Sequence, residues 1–249
     1  MSTVEPAGVP RLPRTWKFLG TALWGAAAFV AMSAGQIVVI FVALAVQGDA
    51  FTVDNFIAIT GHGVVVPLSV LGGVPGAVLV LWLATRIAGQ SFVSYLALRW
   101  PSWVETACGL ISSAALLVLL DTIAWFAGYP LSPDFVLESM RAARDSGLIW
   151  LVLLGLCVGA PIAEEFIFRG FVFHGWSATW LGPVGAIVLS SVLFAVIHQQ
   201  YGWFYIACIF LVGALFGYLR HRCGSTWLTV ITHAFLNLMA SLQALWFIS

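Results

Sequence analysis

The sequence predicts an all-α protein, a polytopic transmembrane bundle of about seven helices. Three observations predict it. Of 249 residues, 61% are hydrophobic and 8% are Asp, Glu, Lys or Arg, whereas ordinary soluble domains carry about 25% charged residues. Uncharged apolar runs recur along the chain, and a hydrocarbon core about 30 Å thick requires about 20 such residues of helix. The few charges lie mostly between runs, where they mark the ends of helices. A soluble globular enzyme is thereby excluded, since twenty charges cannot coat a chain of this length. Nucleic acid is not an expected partner either, because ten acids balance ten bases and no basic stripe exists.

The runs follow in order. Phe18 to Val46 is uncharged and longer than the 7–15 residues of a signal-peptide core, so it reads as an uncleaved anchor. Asn55 to Thr85 is uncharged, although Pro67, Gly72, Gly73 and Pro75 should bend or interrupt it. Thr106 to Tyr129 is broken only by Asp121. Pro130 to Ser146 is the longest polar loop. Ser146 to Ala163 is uncharged, meets Glu164, Glu165 and Arg169, and continues apolar to Phe173. Gly170 to Leu219 contains no Asp, Glu, Lys or Arg, with turn chemistry at Gly182-Pro183 and at Gln199-Gln200-Tyr201-Gly202. Gly224 to the end supplies the last crossing. The four cysteines, Cys108, Cys157, Cys208 and Cys223, show no C-x-x-C pairing, so neither a disulfide framework nor a zinc knuckle is expected. No internal repeat of the transporter kind is visible.

Three parts are expected. Residues 1–17 form a cytoplasmic N-terminal tail, 18–145 hold three transmembrane helices without motifs, and 146–249 hold the helices that carry chemistry. With the N-terminus inside, the inner loops receive Arg11, Arg14, Lys17, Arg86, Arg99, Arg220 and Arg222, and the outer loops only Arg141 and Arg144. That asymmetry obeys the positive-inside rule. Nine of the ten basic residues are Arg, which suits a GC-rich bacterial genome and hence a bacterial plasma membrane.

An ionisable side chain in hydrocarbon costs about 2.5–3.5 kcal/mol on insertion scales and is functional by default. Only Asp121, Glu164, Glu165, Arg169, His198 and His233 stand inside the runs, with Asn237 as a polar amide. Glu165 and Arg169 are i and i+4 with the acid first, the favoured order for an intrahelical pair. Glu164 lies about 100° around the helix and is left aimed elsewhere. Pro161 removes a backbone donor just upstream. Phe194-x-x-x-His198 and His233-x-x-x-Asn237 each put two residues on one helical face. A carboxylate, a histidine opposite it and a donor pair make a water-activating centre with an oxyanion hole. At 1.5 Å per residue, Glu164 and His233 both lie about 12–14 Å from the inner surface, whereas His198 lies about 22 Å from Pro183. His198 agrees in depth only if its helix begins late, tilts or lies deep.

The three elements, Glu164-Glu165-x-x-x-Arg169, Phe194-x-x-x-His198 and His233-x-x-x-Asn237, resemble those of the CPBP or Abi family. That family of intramembrane proteases includes the type II CaaX prenyl endopeptidases and bacterial bacteriocin-processing and immunity proteins. The segment Phe216 to Ser225 also resembles the family's turn before its last motif, and the resemblance covers about Leu148 to Met239. It implies a metal-independent glutamate endopeptidase that needs no cofactor and acts on peptide or membrane-protein substrates in the bilayer. Glu164 and His198 would activate water, and His233 with Asn237 would form the oxyanion hole. Glu165, Arg169 and Phe194 would support them. Oligomeric state is not legible.

Other readings stay open. Glu, His and His could ligate zinc, although H-E-x-x-H is absent. A proton-coupled transporter would also use intramembrane Glu, Arg and His. A non-enzymatic immunity protein would need none of this chemistry. Asp121 is expected at the membrane interface, and His62, His174 and His221 at helix ends or in loops. Gly213-x-x-x-Gly217 should permit close helix packing. Trp100, Trp103, Trp176, Trp180 and Trp203 should form interfacial belts.

Overall fold

The computed structural model describes residues 15–60 and 65–249. The expected tail up to residue 14 and His62 lie outside the described residues. The chain forms α1 (Phe18–Gln47), α2 (Val53–Thr60), α3 (Val65–Ile87), α4 (Phe92–Tyr95) and α5 (Trp103–Ala127). These are followed by α6 (Asp134–Asp145), α7 (Ile149–Ser177), α8 (Gly182–Val196), α9 (Trp203–Cys223) and α10 (Thr226–Ile248). There is no strand among the described residues. Six helices, α1, α3, α5, α7, α9 and α10, are long and apolar enough to cross a membrane. The chain is an integral membrane protein.

Each helix end has a local cause. Ser102 caps α5 by accepting from Glu105 N–H, and the Glu105 carboxylate returns to Ser102 N–H at 2.7 Å, a reciprocal box. Gly48, Gly128 and Gly224 end α1, α5 and α9 in left-handed backbone, which costs glycine least. α1 and α3 touch backbone to backbone: a Cβ at Gly35 would stand 2.5 Å from the Gly72 carbonyl oxygen, and one at Gly76 2.5 Å from that of Ala31. Small residues at a lipid-embedded contact allow such approach.

The region 130–146, expected as a loop, contains the twelve-residue α6. Its polar face produced the loop reading. Its other face seats Val136, Met140 and Ala143 against Val152 of α7 and Ala244 of α10. Trp176, expected in an interfacial belt, is 3% exposed and donates its indole N–H to the Phe18 carbonyl at 3.1 Å. Trp100, Trp103, Trp180 and Trp203 are exposed.

α7 is the most buried of the long helices, and it carries the charged motif through the middle of the bundle. α10 is pinned at its start: Thr226 N–H donates to the Ala97 carbonyl at 3.0 Å and its hydroxyl to the Leu96 carbonyl at 2.5 Å. Those bonds fix the start of α10 against the segment that follows α4.

Candidate active site

Glu165 and Arg169 are fully buried one turn apart on α7, with Arg169 Nη1 donating to Glu165 Oε1 at 3.1 Å. Between Phe166 and Val172 the helix widens into π-helical turns. Arg169 Nη2 donates to the Gly213 carbonyl at 3.0 Å. A Cβ at Gly213 would stand 3.0 Å from Arg169 Nη2 and 3.2 Å from Ser191 Cβ, so glycine is what admits α9 here. The guanidinium carbon also lies 4.4 Å from the centre of the Phe194 ring, a cation–π contact. An isolated buried charge is costly, and this one is paired, hydrogen-bonded and stacked.

Glu165 Oε1 also meets His233 Nδ1 at 3.0 Å. A carboxylate accepts, so Nδ1–H donates and Nε2 of the neutral ring is bare. His198 follows the same logic. Its Nδ1 lies 2.7 Å from the Phe194 carbonyl, which can only accept, so its Nε2 is likewise bare. Glu164 Oε2 stands 4.0 Å from His198 Nε2 and 4.0 Å from His233 Nε2. Glu164 Oε2 is buried and has no hydrogen-bond partner among the described residues. One carboxylate oxygen therefore faces two imidazole nitrogens held by different backbone and side-chain groups.

The expected helical face for His198 does not survive. His198 stands two residues beyond the end of α8 and folds back onto the last turn through its Phe194 bond. α8 has 15 residues and is about 22 Å long, shorter than the roughly 30 Å core. The 4.0 Å from Glu164 Oε2 to His198 Nε2 nonetheless sets the two side chains level with each other.

Asn237 is positioned by a defect in α7. Residues Gly155–Gly159 form π-helical turns, in which Ala160 N–H donates to the Gly155 carbonyl. Pro161 has no N–H. The Leu156 carbonyl thus has no donor within its helix, and Asn237 Nδ2 supplies one at 2.7 Å. An amide nitrogen carries two N–H groups, so the second is left for the cavity that Asn237 lines.

That cavity has a volume of about 210 Å³ and is bounded by α5, α9, α10 and the chain around α6 and α8. His198, His233 and Asn237 line it, and Glu164 reaches the same two imidazoles from α7. The structure thus brings all four proposed site residues together. Two others escaped the sequence reading. Asp121, expected at the interface, lines the cavity and accepts from Gln243 Nε2 at 3.1 Å. Tyr201 stacks on His198 with ring centres 6.1 Å apart. No spacing rule links Asp121 to Gln243, since they lie on helices that meet only in the fold. Among the described residues no group of three His, Cys, Asp or Glu is arranged to hold a metal ion.

Fold and site together define a helical membrane protein with a carboxylate, two imidazoles and an amide converging inside the bundle. Comparison with known proteins narrows this. Residues 146–239 match the family model described as type II CAAX prenyl endopeptidase Rce1-like. The chain is 35% identical over 86 residues to an uncharacterized 24.3 kDa protein of Escherichia coli, covering 33% of this chain and 39% of the relative. It is 33% identical over 93 residues to the UPF0177 protein YbdI of Lactococcus lactis subsp. lactis (strain IL1403), covering 36% of this chain and 47% of the relative. The chain thus spans less than half the length of either curated relative. No solved structure matches it.

Proposed function

We propose that the chain is an intramembrane endopeptidase, CAAX-protease-like, that hydrolyses a peptide bond with water activated by Glu164 and His198. The observation that carries this reading is the buried Glu164 oxygen 4.0 Å from two imidazole nitrogens. That separation exceeds a direct hydrogen bond, and a single water about 2.8 Å from each group would span it. Glu164 takes the water's proton as the oxygen attacks the carbonyl, while His198 Nε2 accepts the water's second hydrogen bond, and Glu164 then gives that proton to the amine nitrogen as the C–N bond breaks. The tetrahedral oxyanion then needs donors. Asn237 offers its free N–H. His233 donates from Nε2 as an imidazolium, its Nδ1–H staying on Glu165.

In this reading residues 146–249 carry the chemistry, and residues 18–145 wall the site on one side. The host membrane is a bacterial plasma membrane with the N-terminus in the cytoplasm, and the substrates are small peptides or membrane-protein segments. Comparing the membrane peptidome of cells with wild-type and Glu164→Gln protein tests this. A peptide product that disappears in the variant is expected, and identical peptidomes contradict the assignment.

One observation favours a second reading, a zinc peptidase: both imidazoles present bare Nε2 atoms, each oriented through Nδ1, as in metal-ligating histidines. Ligands about 2.0–2.1 Å from a tetrahedral zinc lie about 3.4 Å apart, closer than the 4.0 Å found here. The metal-free reading expects cleavage to survive 1,10-phenanthroline. Loss of activity that zinc restores supports the rival.

A further inference from the structure

Asp121 is a carboxylate placed on α5 within an apolar membrane helix, a costly position that wants a use. It is half-buried. It lines the same cavity as His198, His233 and Asn237. Gln243 Nε2 holds Oδ2 at 3.1 Å, which orients the carboxylate without neutralising it. Among the described residues no Lys, Arg or His forms an ion pair with Asp121. Most other walls near it are hydrocarbon and aromatic, including Leu117, Leu120, Ala124 and Phe204. On α10 the lining residues His233, Asn237, Ala240 and Gln243 fall on one stripe. The cavity therefore runs along that helix from the imidazoles to the Asp121–Gln243 pair.

We propose that Asp121, oriented by Gln243, is a specificity-determining residue that receives a cationic side chain, lysine or arginine, of the peptide substrate. The identity of the occupant as substrate rests on the endopeptidase reading above. Charge complementarity selects it: an oriented, unpaired carboxylate in an apolar enclosure binds a cation far better than a hydrocarbon chain or an acidic residue. Distance sets the register. Ten residues of helix separate His233 from Gln243, about 15 Å, which an extended peptide covers in about four to five residues at 3.3 Å each. A lysine side chain shortens that count, so the cation belongs about two to five residues from the scissile bond.

Two measurements test this separately from the peptidase reading. In the first, purified wild-type, Asp121→Asn and Glu164→Gln proteins digest a proteome-derived peptide library in detergent, and cleavage sites are read by mass spectrometry. Wild-type sites are expected to be enriched in Lys or Arg two to five residues from the cut. The preference for cationic over neutral peptides should fall about ten- to hundredfold in Asp121→Asn, the range for one charge-assisted contact. Cleavage with no cationic preference, or equal cleavage of a prenylated peptide without lysine, overturns the subsite while leaving the peptidase reading intact. In the second, Glu164→Gln protein is alkylated with a small maleimide at Cys208, which also lines the cavity. Ala/Leu dodecapeptides with a central lysine or norleucine compete. The lysine peptide should protect Cys208 about tenfold better, and Asp121→Asn should erase the difference. Equal protection overturns the subsite; selective protection in a protein whose wild type cleaves nothing retains the subsite and discards the peptidase.

Discussion

Arg169 holds the site's electrostatics together, because it neutralises Glu165 while also reaching the Gly213 carbonyl. Arg169→Ala strands a carboxylate in the core, and breaking a buried pair costs about 3–5 kcal/mol. Thermal unfolding in detergent should show a lower melting temperature and poor folded yield. A normally stable but inactive protein would instead put Arg169 in the chemistry. Arg169→Lys should rescue little, since an ammonium lacks the fork that serves two acceptors. His233 differs. His233→Ala should lower the cleavage rate about 10²–10³-fold, the range for losing an oxyanion donor, and a twofold loss contradicts that role. These residues were legible in the sequence because charge in an apolar run is conspicuous and i, i+4 spacing fixes a shared face. The proton positions were not, since they depend on what lies opposite each Nδ1.

At the scale of the helix, Pro161 and Asn237 form one device. The proline leaves the Leu156 carbonyl without a donor, and the amide on α10 supplies it. Asn237→Ala should therefore destabilise the fold by about 1–3 kcal/mol, the cost of an orphaned buried acceptor. In a Pro161→Ala background α7 regains an N–H, so the same substitution should cost clearly less. Additive losses in this double-mutant cycle would break the link. The sequence signalled the freed carbonyl through Pro161 but not its partner, which sits 81 residues away. α6 was read as a loop because its charges masked an apolar face that only α7 and α10 cover. His198 was read onto a helix because the F-x-x-x-H spacing is helical, whereas α8 ends two residues earlier.

For the whole molecule, the apolar runs read from composition became the six long helices and α8, since lipid imposes a length that the chain cannot disguise. The cavity was invisible beforehand, because its walls come from segments far apart in sequence. If α8 crosses despite its 15 residues, the chain has seven crossings and its ends face opposite sides. C-terminal fusions should then give active alkaline phosphatase and dark green fluorescent protein in bacterial cells. The reverse pattern puts both ends in the cytoplasm and makes α8 re-entrant. The most direct test concerns the four converging groups acting as a unit. Cleavage of one defined peptide is to be measured with purified wild type, Glu164→Gln, His198→Ala and the double variant. Each single change should lower turnover at least about 10³-fold, and the double variant should fall no further than the worse single one. Wild-type turnover in either single variant would contradict the account.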